Sequence, residues 1–470
     1  MPLGRLLRLL LIGIILFLCQ ASYAAPPDDA RSPGRKTVAP ASSTTRKQTL
    51  SGRNQPTGPK ETTVVRKPSA NKGRSGVYQC KTDTPAYNYW VYVPASYSED
   101  KPAGLHIFFH GQNNSQGADN FWVSRAMLDS FNLIGINMEY TDGDYRKDTD
   151  GKLAAAEQAV QQTMADYKVI PGRGIMASFS GGGIVHSLYF SRNGKQSSAD
   201  RNTKWTFNLN ALYGSNFQAS PAGVNGSSWL VSLHENERNM GLPTVGVSQT
   251  RVAREAILAS RVDGGPAEVV FLYVKGAGHG ITGTDTAWVA QLFQRTDLAF
   301  APFVYTPDYP EQELRQAVAA INRLAYGRAE SAISQVLALH NAPPGVKAKA
   351  ESLSRQMSDR IEDIVAMGKS MSENDPILCD TYGKTLVSQF AGHSRLAEIK
   401  AAFGPGAIKY RKEGLQNVEA TFLSNAPDMV DMTTGKVGPM HRNLLETTIK
   451  AAGKNSQCGM MAASLLQCIE

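Results

Sequence analysis

RGIMASFSGGGIVHSLYF, residues 173–190, is the stretch of sequence that decides the fold. It reads as a short apolar strand, a tight turn rich in small residues, and an apolar helix. A serine between a strand and a helix matches the G-x-S-x-G turn, which holds a nucleophilic serine above the edge of a sheet. Ser180 occupies the serine position and Gly182 the second glycine, whereas Ser178 replaces the first glycine. The alternative interpretation is a glycine-rich loop that carries a surface serine.

Strand patterns alternate with helical patterns on both sides of this turn. The strand patterns lie at 87–93, 105–109, 133–138, 174–177, 207–213, 229–233 and 269–274, and helical spacing occurs at 153–167, 252–258 and 288–293. Continuous apolar runs such as LHIFF are typical of strands that are buried on both faces. The alternation therefore predicts an α/β fold at residues 77–308, with a mostly parallel sheet covered by helices on both faces. Only helical spacing follows, which predicts an all-α accessory domain at 309–470.

The N-terminus has the pattern of a secretory signal peptide. Arg5 and Arg8 precede an apolar run of ten residues, and small residues at Ser22 and Ala24 fit a cleavage site near Ala24. We therefore expect the mature chain to be exported, either to a periplasm or to the extracellular space. The alternative is a lipoprotein attached through Cys19.

Residues 25–76 contain eleven Lys or Arg and three acidic residues, so this segment alone has a formal charge of +8, equal to that of the whole chain. It is rich in Pro, Ser, Thr and Gly and has few large apolar residues, which predicts a disordered basic linker. We expect at most weak contacts between this linker and anionic envelope polymers. No folded nucleic-acid-binding module is indicated.

Four cysteines follow the signal peptide, namely Cys80, Cys379, Cys458 and Cys468. An even number in an exported chain predicts two disulfides, and three pairings are open. One of them joins Cys458 to Cys468 and Cys80 to Cys379. The cysteines and histidines lack the spacing of a zinc site, so we expect neither a metal nor an organic cofactor.

A hydrolytic serine needs a general base and donors for the oxyanion. His279 is the best candidate for the base, because it lies on a glycine-flanked loop after the last strand pattern, where open α/β sheets place their sites. The backbone N–H of Gly181 follows the nucleophile and is the first predicted oxyanion donor. The second is the N–H of Gln112, which follows His110-Gly111 at the end of another strand pattern.

The acid that orients the base is expected in the loop after 229–233. Glu237 is the preferred candidate and Glu235 the second, and either could be a solvated loop charge instead. Asp263 and Asp285 are further alternatives.

Residues 87–295 resemble the α/β-hydrolase superfamily, in particular secreted polyhydroxybutyrate-depolymerase-like and feruloyl-esterase-like enzymes. The matching pieces are YVPASY at 92–97, LHIFFHGQNNSQGADNFW at 105–122, GRGIMASFSGGG at 172–183 and VKGAGHGI at 274–281. The resemblance implies that Ser180 is the nucleophile, His279 the base, and the amides of Gln112 and Gly181 the oxyanion hole. The sequence HENER at 234–238 departs from the family's acid motif, because Arg238 stands where an aspartate would align.

These observations favour an exported serine hydrolase that cleaves carboxylic esters, with an ester of unspecified acyl group as substrate. A serine peptidase of the same fold is one alternative. The other is a non-catalytic binding or scaffold protein of the cell envelope, built on a degenerate hydrolase fold.

Overall fold

The computed structural model describes residues 67–83, 87–111, 125–140, 146–194, 207–221, 227–235, 251–257, 259, 268–431 and 436–469. The described ranges contain a single eight-stranded sheet. Its strands are β1 Gly76–Lys81, β2 Asn88–Val93, β3 Ala103–Phe109, β4 Leu133–Glu139, β5 Val169–Phe179, β6 Leu209–Tyr213, β7 Ser228–His234 and β8 Glu268–Val274.

The order of the strands across the sheet is β1-β2-β4-β3-β5-β6-β7-β8. The pairs β1–β2 and β2–β4 are antiparallel, and all the other pairs are parallel. Phe109 at the end of β3 pairs with Ser178 near the end of β5. The loop that begins with His110-Gly111 and the turn at Ser180 therefore emerge side by side from the middle of the sheet.

Helices cover this sheet and make up most of the chain after residue 300. They are α1 Arg125–Phe131, α2 Thr149–Asp166, α3 Gly182–Tyr189, α4 at 251–257, α5 Gly283–Phe300, α6 Arg315–Asn322, α7 Tyr326–Ala338, α8 Pro344–Asn374, α9 Pro376–Gln389, α10 Leu396–Lys412, α11 Leu415–Asn425, α12 Arg442–Ala452 and α13 Gln457–Leu466. Shorter turns of 3-10 helix lie at Thr306–Asp308, Gln312–Leu314, Ala426–Asp428 and Pro439–His441, and a π-helical turn at Phe190–Gly194. None of the helices in the described ranges has both the length and the apolar composition needed to cross a membrane.

β3, β6, β7 and β8 are buried along their whole lengths, as expected for strands with cover on both faces. The chain thus has the predicted α/β fold, that of the α/β hydrolases, followed by a helical region. β1 was not predicted, because its sequence GVYQCK has only scattered apolar residues.

Two apolar cores include the helical region, and one of them is shared with the sheet. One core lies between residues 299 and 403. The other contains the apolar residues of the sheet together with buried residues from 415–469, such as Phe422 and Met461. β8 is the last strand of the sheet, and α13 bonds to it where Gln457 Nε2 donates to the carbonyl of Val269 over 3.2 Å. The C-terminal helices therefore cover a sheet edge that would otherwise expose unpaired backbone groups.

A buried polar cluster fixes the contact between β8 and the helices. Arg295 on α5 forms an ion pair with Glu268 at the start of β8, with Nη2 and Oε1 2.6 Å apart. Tyr382 on α9 donates its hydroxyl to the other oxygen of Glu268 over 2.7 Å. The Glu268 side chain is fully buried, so these two partners replace the hydration that its carboxylate loses.

Residues 67–76, which belong to the segment predicted as a disordered linker, are bonded to the α/β fold. The backbone N–H and the hydroxyl of Ser69 donate to the two carboxylate oxygens of Asp166 over 2.5 and 2.7 Å. The hydroxyl of Tyr167 also bonds to the carbonyls of Asn71 and Arg74. Local bonds to the end of α2 thus order residues that cannot form an apolar core themselves.

The structure does not contain the predicted disulfides, since all four cysteines of the described ranges are unpaired. Cys458 lies in the first turn of α13 and Cys468 beyond its end. A helix rises about 1.5 Å per residue, so their Cα atoms are roughly 15 Å apart, whereas a disulfide needs less than about 7 Å. Cys80 lies on β1 at one sheet edge, and Cys379 lies on α9, which bonds to β8 at the opposite edge.

Asp375 joins two helix N-termini at this same edge. One carboxylate oxygen accepts the N–H of Leu378 in the first turn of α9, and the other accepts the N–H of Gln457 at the start of α13. Burial raises the pKa of Asp375 to about 6, and the negative charge of Glu268 adds to this effect. The two N–H groups and Arg295 act in the opposite direction and favour the charged carboxylate.

We predict that Asp375 makes the protein less stable as the pH rises from about 4 to about 6. Between its unfolded pKa of about 4 and its folded pKa of about 6 only the folded state keeps the proton, so up to about 3 kcal/mol of stability is lost across this pH range. Urea unfolding of wild type and Asp375→Asn at pH 4.5 and pH 7 measures this difference. The variant should show a flatter dependence of stability on pH.

Glu351→Gln provides the control, because Glu351 is exposed on α8. This variant should keep the pH dependence of the wild type. Parallel curves for wild type and Asp375→Asn would contradict the assignment.

Candidate active site

Ser180 lies in the sharp turn between β5 and α3, with its backbone in the left-handed region at φ 51°. This conformation is uncommon for a residue with a Cβ atom and costs on the order of 1–3 kcal/mol. Backbone bonds to the segment after β6 hold it in place. The N–H of Ser180 donates to the carbonyl of Gly214 over 3.1 Å, and its carbonyl accepts the N–H of Asn216 over 2.8 Å.

Glycines surround the turn because the neighbouring backbones approach too closely for a side chain. A Cβ atom on Gly182 would lie 2.2 Å from the carbonyl oxygen of Phe109. A Cβ atom on Gly183 would lie 2.3 Å from the hydroxyl of Ser215, and one on Gly111 would lie 3.1 Å from the Cβ of Ser180. The loop after β3 is therefore in direct contact with the predicted nucleophile.

The first predicted oxyanion donor is well placed. Gly181 is the N-cap residue of α3, next to Ser180. Backbone N–H groups at a helix N-terminus have no partner inside the helix, and the helix dipole favours negative charge there.

The second predicted donor, Gln112, lies outside the described residues. The residues before it are fixed by His110, whose Nδ1–H donates to the carbonyl of Gly111 over 2.7 Å and whose Nε2 accepts the N–H of Tyr140 over 3.2 Å. Burial lowers the pKa of His110 to about 4, so the ring is neutral and shapes this loop.

Ser178, which replaces the first glycine of the motif, belongs to a buried polar chain that we call the Ser178 network. It consists of Ser215, Ser178, His186 and Asn210. The Ser178 hydroxyl lies 2.7 Å from the Ser215 hydroxyl and 2.8 Å from His186 Nδ1, and His186 Nε2 lies 3.4 Å from the Asn210 side-chain oxygen.

One set of proton positions accounts for all three bonds of the Ser178 network. His186 Nε2–H donates to Asn210, so Nδ1 accepts from Ser178, and Ser178 in turn accepts from Ser215. This requires a neutral ring, which agrees with the pKa of His186, lowered to about 3 by burial. The network connects β5, α3, β6 and the segment after β6 directly behind Ser180.

His279 lies on the loop after β8. Two strands separate β8 from β5, which corresponds to roughly 14 Å across the sheet. The loop spans this gap, because the centroids of the His279 and Phe179 rings are 4.5 Å apart. Phe179 directly precedes Ser180, so the structure brings the predicted base to the turn that carries the predicted nucleophile.

The preferred acid, Glu237, and the alternative Asp263 lie outside the described residues. Glu235 is described, and its Oε2 accepts the N–H of Gly276 over 2.7 Å at the base of the His279 loop. Asp285 is fully buried and bonds to His234 and Thr282. The identity of the acid stays a prediction.

The pair formed by His234 and Asp285 was missed by sequence reasoning. His234 Nε2 lies 3.1 Å from Asp285 Oδ2, and both side chains are fully buried. The sequence HENER favours an acid in the loop after the strand, but β7 extends to His234, whose side chain is buried. Within the described ranges, no group of three or more His, Cys, Asp or Glu side chains is arranged to hold a metal ion.

No protein-family model matches this chain, and no curated protein matches it. Solved structures match this chain at low similarity. A protein assigned as a dipeptidyl aminopeptidase IV from Bacteroides ovatus is 11% identical with a TM-score of 0.34, and the match covers 47% of this chain and 36% of that one.

A thermostable esterase is 13% identical with a TM-score of 0.32, covering 46% of this chain and 59% of that one. Thermogutta terrifontis esterase 2 is 14% identical with a TM-score of 0.33, covering 48% and 96%. The chain thus spans less than two thirds of the first two proteins. The fold assignment rests on the order and direction of the strands and on the turn at Ser180.

We predict that Ser178→Gly destabilises the protein, although it restores the usual glycine of the motif. The change leaves the buried Nδ1 of His186 and the hydroxyl of Ser215 without their partner, which costs about 1–3 kcal/mol. Urea unfolding at pH 7 measures the loss. Ser424→Ala, an exposed serine of α11, is the control and should change stability by less than about 0.5 kcal/mol. Equal stability of Ser178→Gly and wild type would show that the network does not contribute.

Proposed function

We propose that this chain is an exported serine hydrolase that cleaves carboxylic esters through an acyl-enzyme on Ser180. The observation that carries the proposal is the left-handed backbone of Ser180 at the carboxyl end of β5. Such strain persists where the surrounding structure enforces it, and it concentrates at functional sites. A scaffold protein without activity has no need of a strained serine, so the geometry favours the enzyme over the binding protein.

The proposed reaction has two steps. The hydroxyl of Ser180 attacks the ester carbonyl while His279 takes up its proton, and the oxyanion is stabilised by the amides of Gly181 and Gln112. Collapse of this intermediate breaks the ester bond, and His279 protonates the leaving alcohol. Water, deprotonated by His279, then attacks the acyl-enzyme and releases the acid and free Ser180.

Glu237 completes the proposed site as the acid that orients His279. Export after cleavage near Ala24 and weak contacts of the basic linker with anionic envelope polymer belong to the same proposal and rest on the sequence alone. A serine peptidase would use the same two steps on a peptide bond, so assays with esters and peptides decide the substrate class.

A fluorophosphonate probe should label the purified mature protein, because the probe reacts with an activated serine whatever the natural substrate. Labelling should disappear in Ser180→Ala and fall by at least about 100-fold in His279→Ala, since the base activates the nucleophile. In-gel fluorescence over time measures the rates.

Ser424→Ala and His340→Ala are matched controls, because both residues are exposed in the helical region. They should be labelled like the wild type. A folded wild type that is not labelled would overturn the hydrolase proposal and favour the envelope scaffold. Screens of acyl esters and peptides with a labelled protein then separate esterase from peptidase.

Glu237→Gln should lower the labelling rate by at least about 100-fold if this residue orients His279. Glu235→Gln should lower it by much less, because the amide oxygen can still accept the N–H of Gly276. The reverse order of effects would move the role of the acid to Glu235.

A further inference from the structure

We propose that His234, paired with Asp285, is a positioning residue that holds the loop carrying the base His279. The proposal rests on the proposed function in one respect, namely that His279 is the general base. It also makes a claim about the loop that is independent of catalysis.

The His234 ring contacts Asp285 and the hydroxyl of Ser232 through Nε2, and Gly278 through Nδ1. Its Nε2 lies 3.1 Å from Oδ2 of Asp285, and its Nδ1 lies 3.1 Å from the carbonyl oxygen of Gly278. Gly278 directly precedes His279. The ring is thus a bridge between a buried carboxylate and the backbone of the loop, one residue before the predicted base.

The partners determine where the protons lie. A carbonyl oxygen can only accept, so Nδ1 must carry a proton, and an ionised carboxylate can only accept, so Nε2 must carry one as well. Burial would raise the pKa of Asp285, but the hydrogen bond and the positive charge of His234, with bonds from Ser232 and Thr282, lower it overall. Both ring nitrogens of His234 are therefore placed as donors, Nε2 to the buried carboxylate of Asp285 and Nδ1 to the carbonyl of Gly278.

Asp285 is fixed from several directions, which makes it a rigid anchor. Ser232 on β7 donates its hydroxyl to Oδ1. The N–H and the hydroxyl of Thr282 each donate to Oδ2 over 2.7 Å, and Thr282 is the N-cap of α5. Tyr213 is a further titratable group near Asp285. Burial raises the pKa of Tyr213, and the negative charge of Asp285 raises it further.

The loop is rich in glycine, although Ala277 and Ile281 pack against the core and the His279 ring lies on Phe179. A Cβ atom added to Gly276, Gly278 or Gly280 would meet nothing within 4 Å, so the glycines are not packed against neighbours. Their conformational freedom must be restricted by hydrogen bonds. The bonds from His234 to Gly278 and from Gly276 to Glu235 hold this loop on the side of β7.

Two substitutions separate the two bonds of the ring. In His234→Asn, the side-chain amide lies near the position of Nδ1 and can still donate to Gly278, whereas the contact with Asp285 is lost. In His234→Gln, the amide lies near the position of Nε2 and can still donate to Asp285, whereas Gly278 is released. A positioning role and a purely structural role therefore predict different rankings of the two variants.

We expect His234→Gln to lower the rate of fluorophosphonate labelling by about 10-fold or more, with His234→Asn within about 3-fold of wild type, because small displacements of a base are costly. Thermal stability should rank the other way, with His234→Asn the less stable, since it leaves the buried carboxylate of Asp285 without its histidine partner. Hydrogen exchange at 276–281 should be about 10-fold faster in His234→Gln than in wild type.

His393→Gln is the matched control, because His393 is a buried histidine of the helical region, outside the sheet. It should lower thermal stability without changing labelling or exchange at 276–281. If labelling, exchange and stability all follow the same order in the two His234 variants, His234 is only a structural residue and the proposal is overturned.

Exchange also separates this proposal from the proposed function. A wild type that is not labelled, but whose loop exchanges faster in His234→Gln alone, would retain His234 as the anchor of the loop and reject the hydrolase. Unchanged exchange in both variants of a labelled enzyme would reject the anchor and retain the hydrolase.

Discussion

The left-handed backbone of Ser180 is the constraint on which the rest of the site depends. A turn this sharp puts α3 directly above the end of β3, so Gly182 and Gly111 cannot carry side chains. It also requires partners for its peptide groups, which the backbone at Gly214 and Asn216 provides. Those partners are in reach only because β6 lies parallel to β5 and ends at the same level. The local strain at one serine is therefore held by the topology of the sheet.

Ser178 shows how this architecture accommodates a departure from the usual motif. A hydroxyl inside the sheet is tolerated because His186 and Ser215 complete its hydrogen bonds. An apolar side chain would leave that histidine buried without its Nδ1 partner, so the three residues depend on one another. The serine is thus part of a polar layer beneath the turn, whereas a glycine there would supply no hydroxyl to His186 and Ser215.

The sequence predicts well what depends on neighbours along the chain. The runs around Ile107 and Val270, and the change from strand to helix around Ser180, are local patterns, and each appears in the structure. Contacts between distant segments leave no such signal. His234 and Asp285 are 51 positions apart, and nothing in either segment indicates the other. The cysteine count suggested disulfides, but the path of α13 separates Cys458 from Cys468.

The helical region packs against the sheet and contributes to its stability. α13 runs along β8, since Gln457 bonds to Val269 near one end of the strand, and Lys275 just beyond the other end bonds to Gln467. β8 leads directly into the loop with His279, so the position of this proposed base depends on how firmly the edge strand is held. An edge strand with one neighbour can fray. The C-terminal helix supplies the second neighbour, and in this way residues without any place in the chemistry contribute to the geometry of the site.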